Sequence, residues 1–575
     1  MKAKIGVYIC HCGSNIAKIV DCEAVREYIS TLPEVAIART YKYMCSNPGQ
    51  DLIVQDIKEH GLQRVVVAAC SPRMHERTFR AALQAAGLNP YMFEMANIRE
   101  QCSWVHDDPQ AATEKAKALA QAAVRRVVHH EALEQMTVDM CPNTLVIGAG
   151  IAGLTATLEL AEAGQKVFLL EKQDHLGGNL ARVDLTAPYL DSARDLLIER
   201  ITRVRSSGNI ELLLNSRLQQ LQGYVGNFTA TLSRTGHDGP GTGKIREIQV
   251  GNVIVCTGYR EFAAERVTHF GYGKLPDVIT SFDFEKMLQA GRIECCDGTI
   301  PKYAAIIHCV GSRSAEFHGY CSRVCCMTAL KYVHEIKSAV PSCYVSDLYI
   351  DMHAFGKGHE DFYRRTSEVK TMFLMFGKGD HPIIRSAGPK DDCKMLIEVN
   401  EQLSGELIEI PADLVILMVG MEAQEDAMET ARLVNISQDK EGWFIESHPK
   451  LDPVATTTDG IFIAGTCVAP KDIPDTVAQA RAAAARILAR IAKGKIAVDA
   501  VYAEISDDAC SGCRICNELC PYSAIEYDDK KKRSHVISAM CKACGACVAA
   551  CPSGAIKGRH FTDQQILAQI EGVLR

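Results

Sequence analysis

NTLVIGAGIAGLTATLELAEAGQKVFLLEK, residues 143–172, is the stretch whose reading decides the fold. A strand-like run, TLVI, enters Gly148-Ala149-Gly150-Ile151-Ala152-Gly153. A helical run follows, and a second strand-like run, KVFLLE, ends in Glu171. The first glycine permits a tight turn, the second lets backbone approach a pyrophosphate, and the third lets helix and strand pack closely. The pyrophosphate would meet the helix N-terminus, where free N–H groups and the dipole favour negative charge. Glu171 stands where an acid accepts hydrogen bonds from a ribose, with Lys172 beside it. Strand, turn, helix and acid at these offsets predict a dinucleotide-binding unit.

Three features outside this stretch favour FAD as the dinucleotide. HLGGNLA, residues 175–181, places Gly177, Gly178 and Asn179 after the second strand. NVIVCTGYR places Thr257 and Gly258 after another. GIFIAGTC, residues 460–467, carries Gly465 and resembles the last FAD-contacting motif of thioredoxin-reductase-like flavoproteins. That family has an acidic residue just after this glycine; here it is Thr466, so the ribityl contact differs. The Ala-rich run that follows predicts a helix from near Asp475 or Thr476, returning an N-terminus toward the flavin past Ile473. A cation beside the isoalloxazine stabilises a reduced, anionic flavin. Lys471 is the candidate, and a solvated loop lysine is the alternative. Residues 223–243, rich in glycine and polar side chains, read as a hairpin and loop.

In the thioredoxin-reductase-like architecture a second dinucleotide lobe follows the first, here at about residues 260–421. Its strand is present in YAAIIHCVGSRSAEFHGYCSRVCCMTALKY, residues 303–332, and so is its helix. The Gly-rich loop between them is not. Cys309, Cys321, Cys325 and Cys326 occupy its place in a C-x11-C-x3-C-C pattern. Thiolates suit zinc and iron–sulfur clusters alike, but adjacent cysteines sit poorly on one zinc, and a disulfide pair is the bland alternative. A cluster is therefore expected where a nicotinamide cofactor would otherwise bind. A nicotinamide-dependent disulfide reductase would need the lost loop and a Cys-x-x-Cys near the flavin. Asp351, His353, Phe355 and Gly356, at the end of a later strand, form a further contact region without an assigned role.

Residues 1–139 alternate strand-like runs (KIGVYIC, VAIARTYKYMC, RVVVAAC, YMFEMANI) with helical ones, which predicts a parallel sheet with flanking helices. Ligands of such sheets bind beyond the carboxyl ends of the strands, and cysteines fall there. Cys12, Cys45, Cys70 and Cys102 are the expected thiolate set, with Cys10 as the alternative member. Buried structural cysteines are the bland reading.

Cys510-x2-Cys513-x2-Cys516-x3-Cys520-Pro recurs as Cys541-x2-Cys544-x2-Cys547-x3-Cys551-Pro. This is the bacterial ferredoxin run, twice, and in such pairs the fourth cysteine ligates the other cluster. Cys510, Cys513, Cys516 and Cys551 would hold one cluster, and Cys541, Cys544, Cys547 and Cys520 the other. Residues 528–533 (DDKKKR) read as the turn between the halves.

Size and composition agree. A chain of 575 residues exceeds one core. The fold class expected is multidomain α/β: an N-terminal Rossmann-like domain (1–139), a two-lobed FAD fold (140–500) and a ferredoxin domain (501–575). A net charge of −7 without a basic stripe argues against nucleic acid. The longest apolar runs are strand-sized, too short to span a membrane, and the N-terminus lacks an export signal. The 25 cysteines cluster at short spacings, which in a cytoplasmic protein points to metal.

Taken together, YICHCG, VVVAACSPR, NIREQCSWVH, VIGAGIAGLTAT, CVGSR…YCSRVCCMTALK, PKDIPDTVAQA and the double ferredoxin run resemble the A-subunit family of heterodisulfide reductase over nearly the whole chain. The resemblance implies FAD and several [4Fe-4S] clusters, four in this chain, including one at the C-x11-C-x3-C-C pattern and one in the N-terminal domain. It implies an anaerobic electron-transfer protein that splits or merges electron pairs at the flavin. Its partners would be B- and C-like subunits and an electron-input module (a hydrogenase, formate dehydrogenase or NADH/ferredoxin module), in a dimer of heteromers. Some members carry an extra ferredoxin module inside the flavin domain. No CxxCxxC lies between Glu171 and Cys309 here, which bears on whether bifurcation is retained.

Overall fold

The computed structural model describes residues 4–234 and 245–574. The chain forms two compact units, Met1–Val138 with Ala497–Arg575, and Asp139–Ile496. The N-terminal α/β domain and the ferredoxin segment, separate domains by their sequence motifs, thus share one unit. The reason is a helix–helix contact. Asp563–Leu574 lies so close to Pro109–Val127 that a Cβ on Gly572 would stand 2.6 Å from Ala122 Cα. Arg126 adds donated bonds to His560 O (2.9 Å) and Gln569 Oε1 (3.2 Å), and Gln565 donates to His129 O (3.0 Å).

In this first unit the strands Val35–Tyr41, Ile5–Cys10, Arg64–Ala69 and Phe93–Asn97 lie in that spatial order, all parallel, as the alternation predicts. Residues Ile5–Cys10 are wholly buried, so the run reads as continuous apolar sequence. Local chemistry sets the helix starts. Asp21 accepts from Glu23 N and Ala24 N to cap Cys22–Ser30, and Ser46 accepts from Gly49 N to cap Asn47–His60. The C-terminal segment folds as two five-residue helices, Ile515–Leu519 and Ala546–Ala550, with the strand pair Ala503–Ile505 and Ile556–Gly558. The DDKKKR residues turn the hairpin Ile525–Asp528/Arg533–Val536.

The second unit repeats one plan twice. Its first sheet orders Ile210–Leu213, Val167–Leu170, Thr144–Ile147, Asn252–Val255 and Ile461–Ile463, all parallel. A three-stranded antiparallel sheet accompanies it, Ser216–Tyr224, Asn227–Arg234 and Ile245–Val250. The expected hairpin in residues 223–243 is its first turn, and residues 235–243 lie outside the described residues. The second lobe orders Thr371–Met375, Tyr344–Tyr349, Tyr303–Val310, Leu414–Val419 and Val278–Thr280, again parallel, with Ile383–Ser386, Met395–Glu401 and Glu406–Ala412 as its antiparallel sheet. Thr144–Ile147 and Tyr303–Val310 hold the same central place. Both stand where successive connections leave in opposite directions, the position at which open α/β sheets bind ligands.

Candidate functional site

At the end of Thr144–Ile147 the glycines do separate jobs. Gly148 has φ +100°, and a Cβ there would stand 2.4 Å from Cys256 O. A Cβ on Gly153 would stand 1.8 Å from Gly148 O, so that glycine sets how closely the helix Ile151–Glu162 meets the turn. Gly150 caps the helix with no side chain in front of it, and Gly178 backs onto it. Glu171 is buried; its carboxylate accepts from Ala149 N (2.7 Å) and Gln173 N (3.0 Å).

These residues open on a cleft of about 1200 Å³. Gly148, Gly150, Ile151, Ala152, Glu171, Lys172, Gly177, Gly178, Asn179, Thr257, Gly258, Thr466, Lys471 and Ile473 all line it. Gly153 and Gly465 stand behind its wall; a Cβ on Gly465 would lie 2.8 Å from Ala152 Cβ. A smaller pocket of about 90 Å³ beside Glu171 is walled by Leu170, Leu218 and Leu433. The bare glycine backbone, the helix N-terminus and the acid together fit a dinucleotide.

The returning helix differs slightly from expectation. It begins at Ile473, two or three residues early, because Asp472 accepts from Asp475 N (2.8 Å) and Pro474 is tolerated in a first turn. Lys471 turns inward rather than into solvent. Its Nζ donates to Gly465 O (2.8 Å) and Ala469 O (3.1 Å), and burial pulls its ammonium below the usual lysine range.

The opposite wall comes from the second lobe, and its polar residues carry no sequence motif. Val324, Met327, Thr328 and Lys331 line the cleft from the helix Cys325–Ala339 and the residue before it, and Glu285 lines it from Ser281–Gln289. Lys331 is 1% exposed. Its Nζ donates to Glu285 Oε1 (2.5 Å) and Leu185 O (3.0 Å). Tyr332 Oη donates to the same carboxylate oxygen (2.9 Å). The partly buried Tyr259 also lines the cleft, close enough to Cys325 for the two to interact.

Cys309, Cys321, Cys325 and Cys326 come together at the end of Tyr303–Val310. The connecting loop bends sharply, with positive φ at Cys309, Arg313 and Arg323, a conformation that non-glycine residues adopt at a cost of about 1–3 kcal/mol each. The Ser312–Ser322 hydroxyl pair (2.6 Å) and His318, held between Glu422 (2.6 Å) and Glu441 (3.2 Å), fix it. The contact region expected at Asp351–Gly356 divides here. Asp351 pairs with Arg313, and His353 Nδ1 lies 3.4 Å from Cys321 Sγ, while Phe355 and Gly356 line the cleft. Burial and the neighbouring sulfurs push Cys309 up to about 12 and Cys325 well above the usual thiol range. Burial also opposes ionisation of Cys326, but His308 outweighs it and holds that thiol below its usual value. His308 is itself buried against Asp347 at 2.6 Å. Such a set takes up thiolate charge only with a compensating cation.

In the first unit two small cavities hold the ferredoxin cysteines in the crossed sets expected: Cys510, Cys513, Cys516 and Cys551 line one, and Cys520, Cys541, Cys544 and Cys547 the other. In the N-terminal domain the structure departs from expectation. Cys12 interacts with Cys10, Cys45 and Cys70, and Cys10 also with Cys45, Cys70 and the buried Cys22. Cys102 does not join them. It lies on the π-helical turn Arg99–Ser103, which points its fully buried thiol into the core, where it donates to Ala112 O (3.1 Å). The alternative, Cys10, takes its place, with its sulfur accepting from Cys12 N (3.3 Å) and Met44 N (3.4 Å). Arg99 donates to Cys12 Sγ (3.2 Å) and supplies a cation.

Among the described residues every cysteine is a free thiol, so no disulfide competes for these sets. Nor do any three cysteine sulfurs lie within 4.8 Å of one another. A tetrahedral zinc at about 2.3 Å from each sulfur would hold them about 3.8 Å apart. The described cysteine sets therefore do not have the spacing of a tetrahedral zinc–thiolate site. No described helix is long and apolar enough to cross a membrane.

A family model described as an NAD(P)-binding Rossmann-like domain matches residues 146–194, and one described as a 4Fe-4S dicluster domain matches residues 502–552. The A subunit of the H2/formate:CoB–CoM heterodisulfide,ferredoxin reductase of Methanococcus maripaludis is 39% identical over 650 aligned positions, covering 99% of this chain and 98% of the relative. The iron–sulfur A subunit of the CoB–CoM heterodisulfide reductase of Methanocaldococcus jannaschii is 38% identical over 653 positions, covering 100% and 99%. Both alignments are longer than the 575 residues here, so each relative carries stretches that this chain lacks. Among solved structures, thioredoxin reductase of Lactococcus lactis matches 61% of this chain and 100% of its own at 18% identity, with a TM-score of 0.41.

Proposed function

The chain belongs to the A-subunit family of heterodisulfide reductase, and from that premise we propose how its redox centres are arranged and what they exchange. It is a flavin and iron–sulfur electron-transfer protein. A flavin accepts electrons in pairs and gives them up singly, and clusters carry them singly. FAD would lie in the 1200 Å³ cleft, with its pyrophosphate on Gly148, Gly150 and the start of Ile151–Glu162, and a ribose on Glu171. Lys471 and Lys331 would be the cations at the cleft wall that compensate charge on the reduced ring, with Lys331 held by Glu285. Four [4Fe-4S] clusters would occupy the four thiolate sets: Cys309/Cys321/Cys325/Cys326, Cys10/Cys12/Cys45/Cys70 and the two ferredoxin sets.

One observation carries this reading. The first turns of a single helix present Cys325 and Cys326 to the thiolate set and Met327, Thr328 and Lys331 to the cleft. Flavin and cluster would then share one wall, and where a hydride donor would enter an ordinary two-dinucleotide flavoprotein this chain would pass single electrons.

The Methanococcus relative's name joins H2 or formate, a heterodisulfide and ferredoxin. By that likeness the chain would work in the cytoplasm with B- and C-like subunits and an electron-input module, splitting or merging electron pairs at the flavin. A second reading, a non-bifurcating electron-transfer scaffold in another reductase complex, draws support from the missing CxxCxxC between Glu171 and Cys309 and from the stretches the relatives have in excess. Iron, sulfide and FAD measured anaerobically per chain test the inventory. Four clusters require about sixteen irons, four per cluster; about eight, with one FAD, would leave only the ferredoxin pair. Co-purification of the native complex, with its flavin bleached or intact, separates the two functional readings.

A further inference from the structure

Behind Lys331 lies a carboxyl group that electron transfer as proposed above does not use. Glu335 sits one turn further along Cys325–Ala339 and is 8% exposed. Its Oε2 is 3.5 Å from Lys331 Nζ, and neither oxygen has a hydrogen-bond partner. An ionised carboxylate held there without donors is unfavourable by several kcal/mol, roughly the penalty for burying a charge; the neutral acid is tolerated. The groups that act on it are Lys331 and Tyr332 on its own helix, Glu285 from Ser281–Gln289 and Asp184 from the segment just before the short strand Leu185–Thr186. Burial pushes the Glu335 acid up, Lys331 pulls it back, and Glu285 and Asp184 add to the rise, to about 8. Glu335 therefore holds a proton at neutral pH. From it a line of contacts runs to Lys331 and, 2.5 Å further, to Glu285, and both of these line the cleft.

We propose that Glu335 keeps a proton in reserve for the flavin cleft and releases it inward through Lys331 and Glu285. The inference rests on the cleft being the flavin site. Two-electron reduction of a bound flavin to its anionic reduced form takes up one proton, and electrons arriving through clusters bring none. The Glu335 O–H bond breaks and its proton passes to Lys331 as Lys331 gives one of its own to the cleft by way of Glu285. Lys331 and Glu285 end as they began, Glu335 ends as carboxylate, and solvent later restores its proton. The two electrons come from the reduced clusters. Glu335 acts only through Lys331 and touches nothing bound in the cleft.

The test uses the full-length, FAD-loaded protein, labelled with 13C-glutamate and reduced anaerobically by a reduced viologen. Reduction-induced infrared difference spectra should show a buried carboxylic C=O band that bleaches as the flavin is reduced and is missing in Glu335→Gln. In stopped flow with a pH indicator, the wild type should reduce its flavin before a proton is drawn from solution. Glu335→Gln should reduce it on the order of 100-fold more slowly at pH 7, the scale of a lost proton donor, and in step with proton uptake. Glu335→Asp should restore most of the rate. A wild-type spectrum with no such band, or a Glu335→Gln chain that reduces at the wild-type rate, would overturn the proposal. If Glu335→Gln fails to fold, the labelled wild-type spectrum decides alone. A chain that binds no FAD overturns the flavin reading itself, whereas one that binds FAD without showing the band overturns only this inference.

Discussion

Replacing Lys331 by methionine isolates the charge at the centre of the cleft wall. Methionine keeps the length of the stem and removes the ammonium. Lys331 is 1% exposed and its partners Glu285 and Glu335 are 2% and 8% exposed. The ammonium stands 2.5 Å from Glu285, 3.5 Å from Glu335 and 3.0 Å from Leu185 O, and methionine replaces none of these interactions. Removing one member of a buried pair leaves an uncompensated charge and costs about 3–5 kcal/mol. The loss should depend on pH, and its sign follows from Glu335. Its folded value lies near 8, above an ordinary 4.5, so its support for folding is complete below 4.5 and is lost as pH rises through 8. Lys331 keeps that rise from going further. An uncompensated buried carboxylate sheds its charge by binding a proton when pH allows. Lys331→Met should therefore cost roughly 1 kcal/mol or less near pH 5 and about 3–5 kcal/mol near pH 9. Urea unfolding followed by fluorescence of the buried Trp443, in a Trp104→Phe background, reads this unit alone. Adding Glu285→Gln should recover more than half of the loss at pH 9. An equal loss at both pH values, or none, would refute the reasoning.

Gly153→Ala should cost about 3 kcal/mol, the upper range for overpacking, because its Cβ meets backbone 1.8 Å away; FAD retained on gel filtration should fall with it. Cys102→Ser should keep the N-terminal cluster, since serine can also donate to Ala112 O, while Cys10→Ser should lose it; iron content of the two variants decides. Cys551→Ser should remove the cluster held with Cys510, Cys513 and Cys516 and spare the one held by Cys541, Cys544, Cys547 and Cys520. Electron paramagnetic resonance of the reduced variant should then show one uncoupled ferredoxin signal.

The parts of this architecture that are legible in the sequence are those whose chemistry is local. The Gly148–Gly153 turn and the double ferredoxin run impose fixed spacings on consecutive residues, and both fold as their spacings predict. The replacement of the second Gly-rich loop is legible for the same reason: strand and helix flank the cysteines in one continuous stretch. Strand-end position, the only local guide to the N-terminal set, misplaces Cys102. Phe93–Asn97 ends five residues before it, and the π turn between rotates its sulfur into the core. Lys331 and Glu285 leave no local signal. A lysine in MTALKYVHEI reads as a solvated helix face, and only the packing of Ser281–Gln289 and the backbone at Leu185 against that face buries it. The shared core of the first and last segments is likewise silent in sequence, because the contact between Pro109–Val127 and Asp563–Leu574 joins residues more than four hundred positions apart.

The claim on which the rest depends is that a flavin and an iron–sulfur cluster stand on either side of one helix turn. Magnetic relaxation of the flavin radical, measured by pulsed electron paramagnetic resonance in the reduced full-length protein, tests it most directly. With a paramagnetic cluster at Cys309, Cys321, Cys325 and Cys326, the radical should relax fast, and in Cys325→Ser it should relax at the slow rate of an isolated flavin. The same slow rate in both proteins, at equal FAD occupancy, would contradict the account.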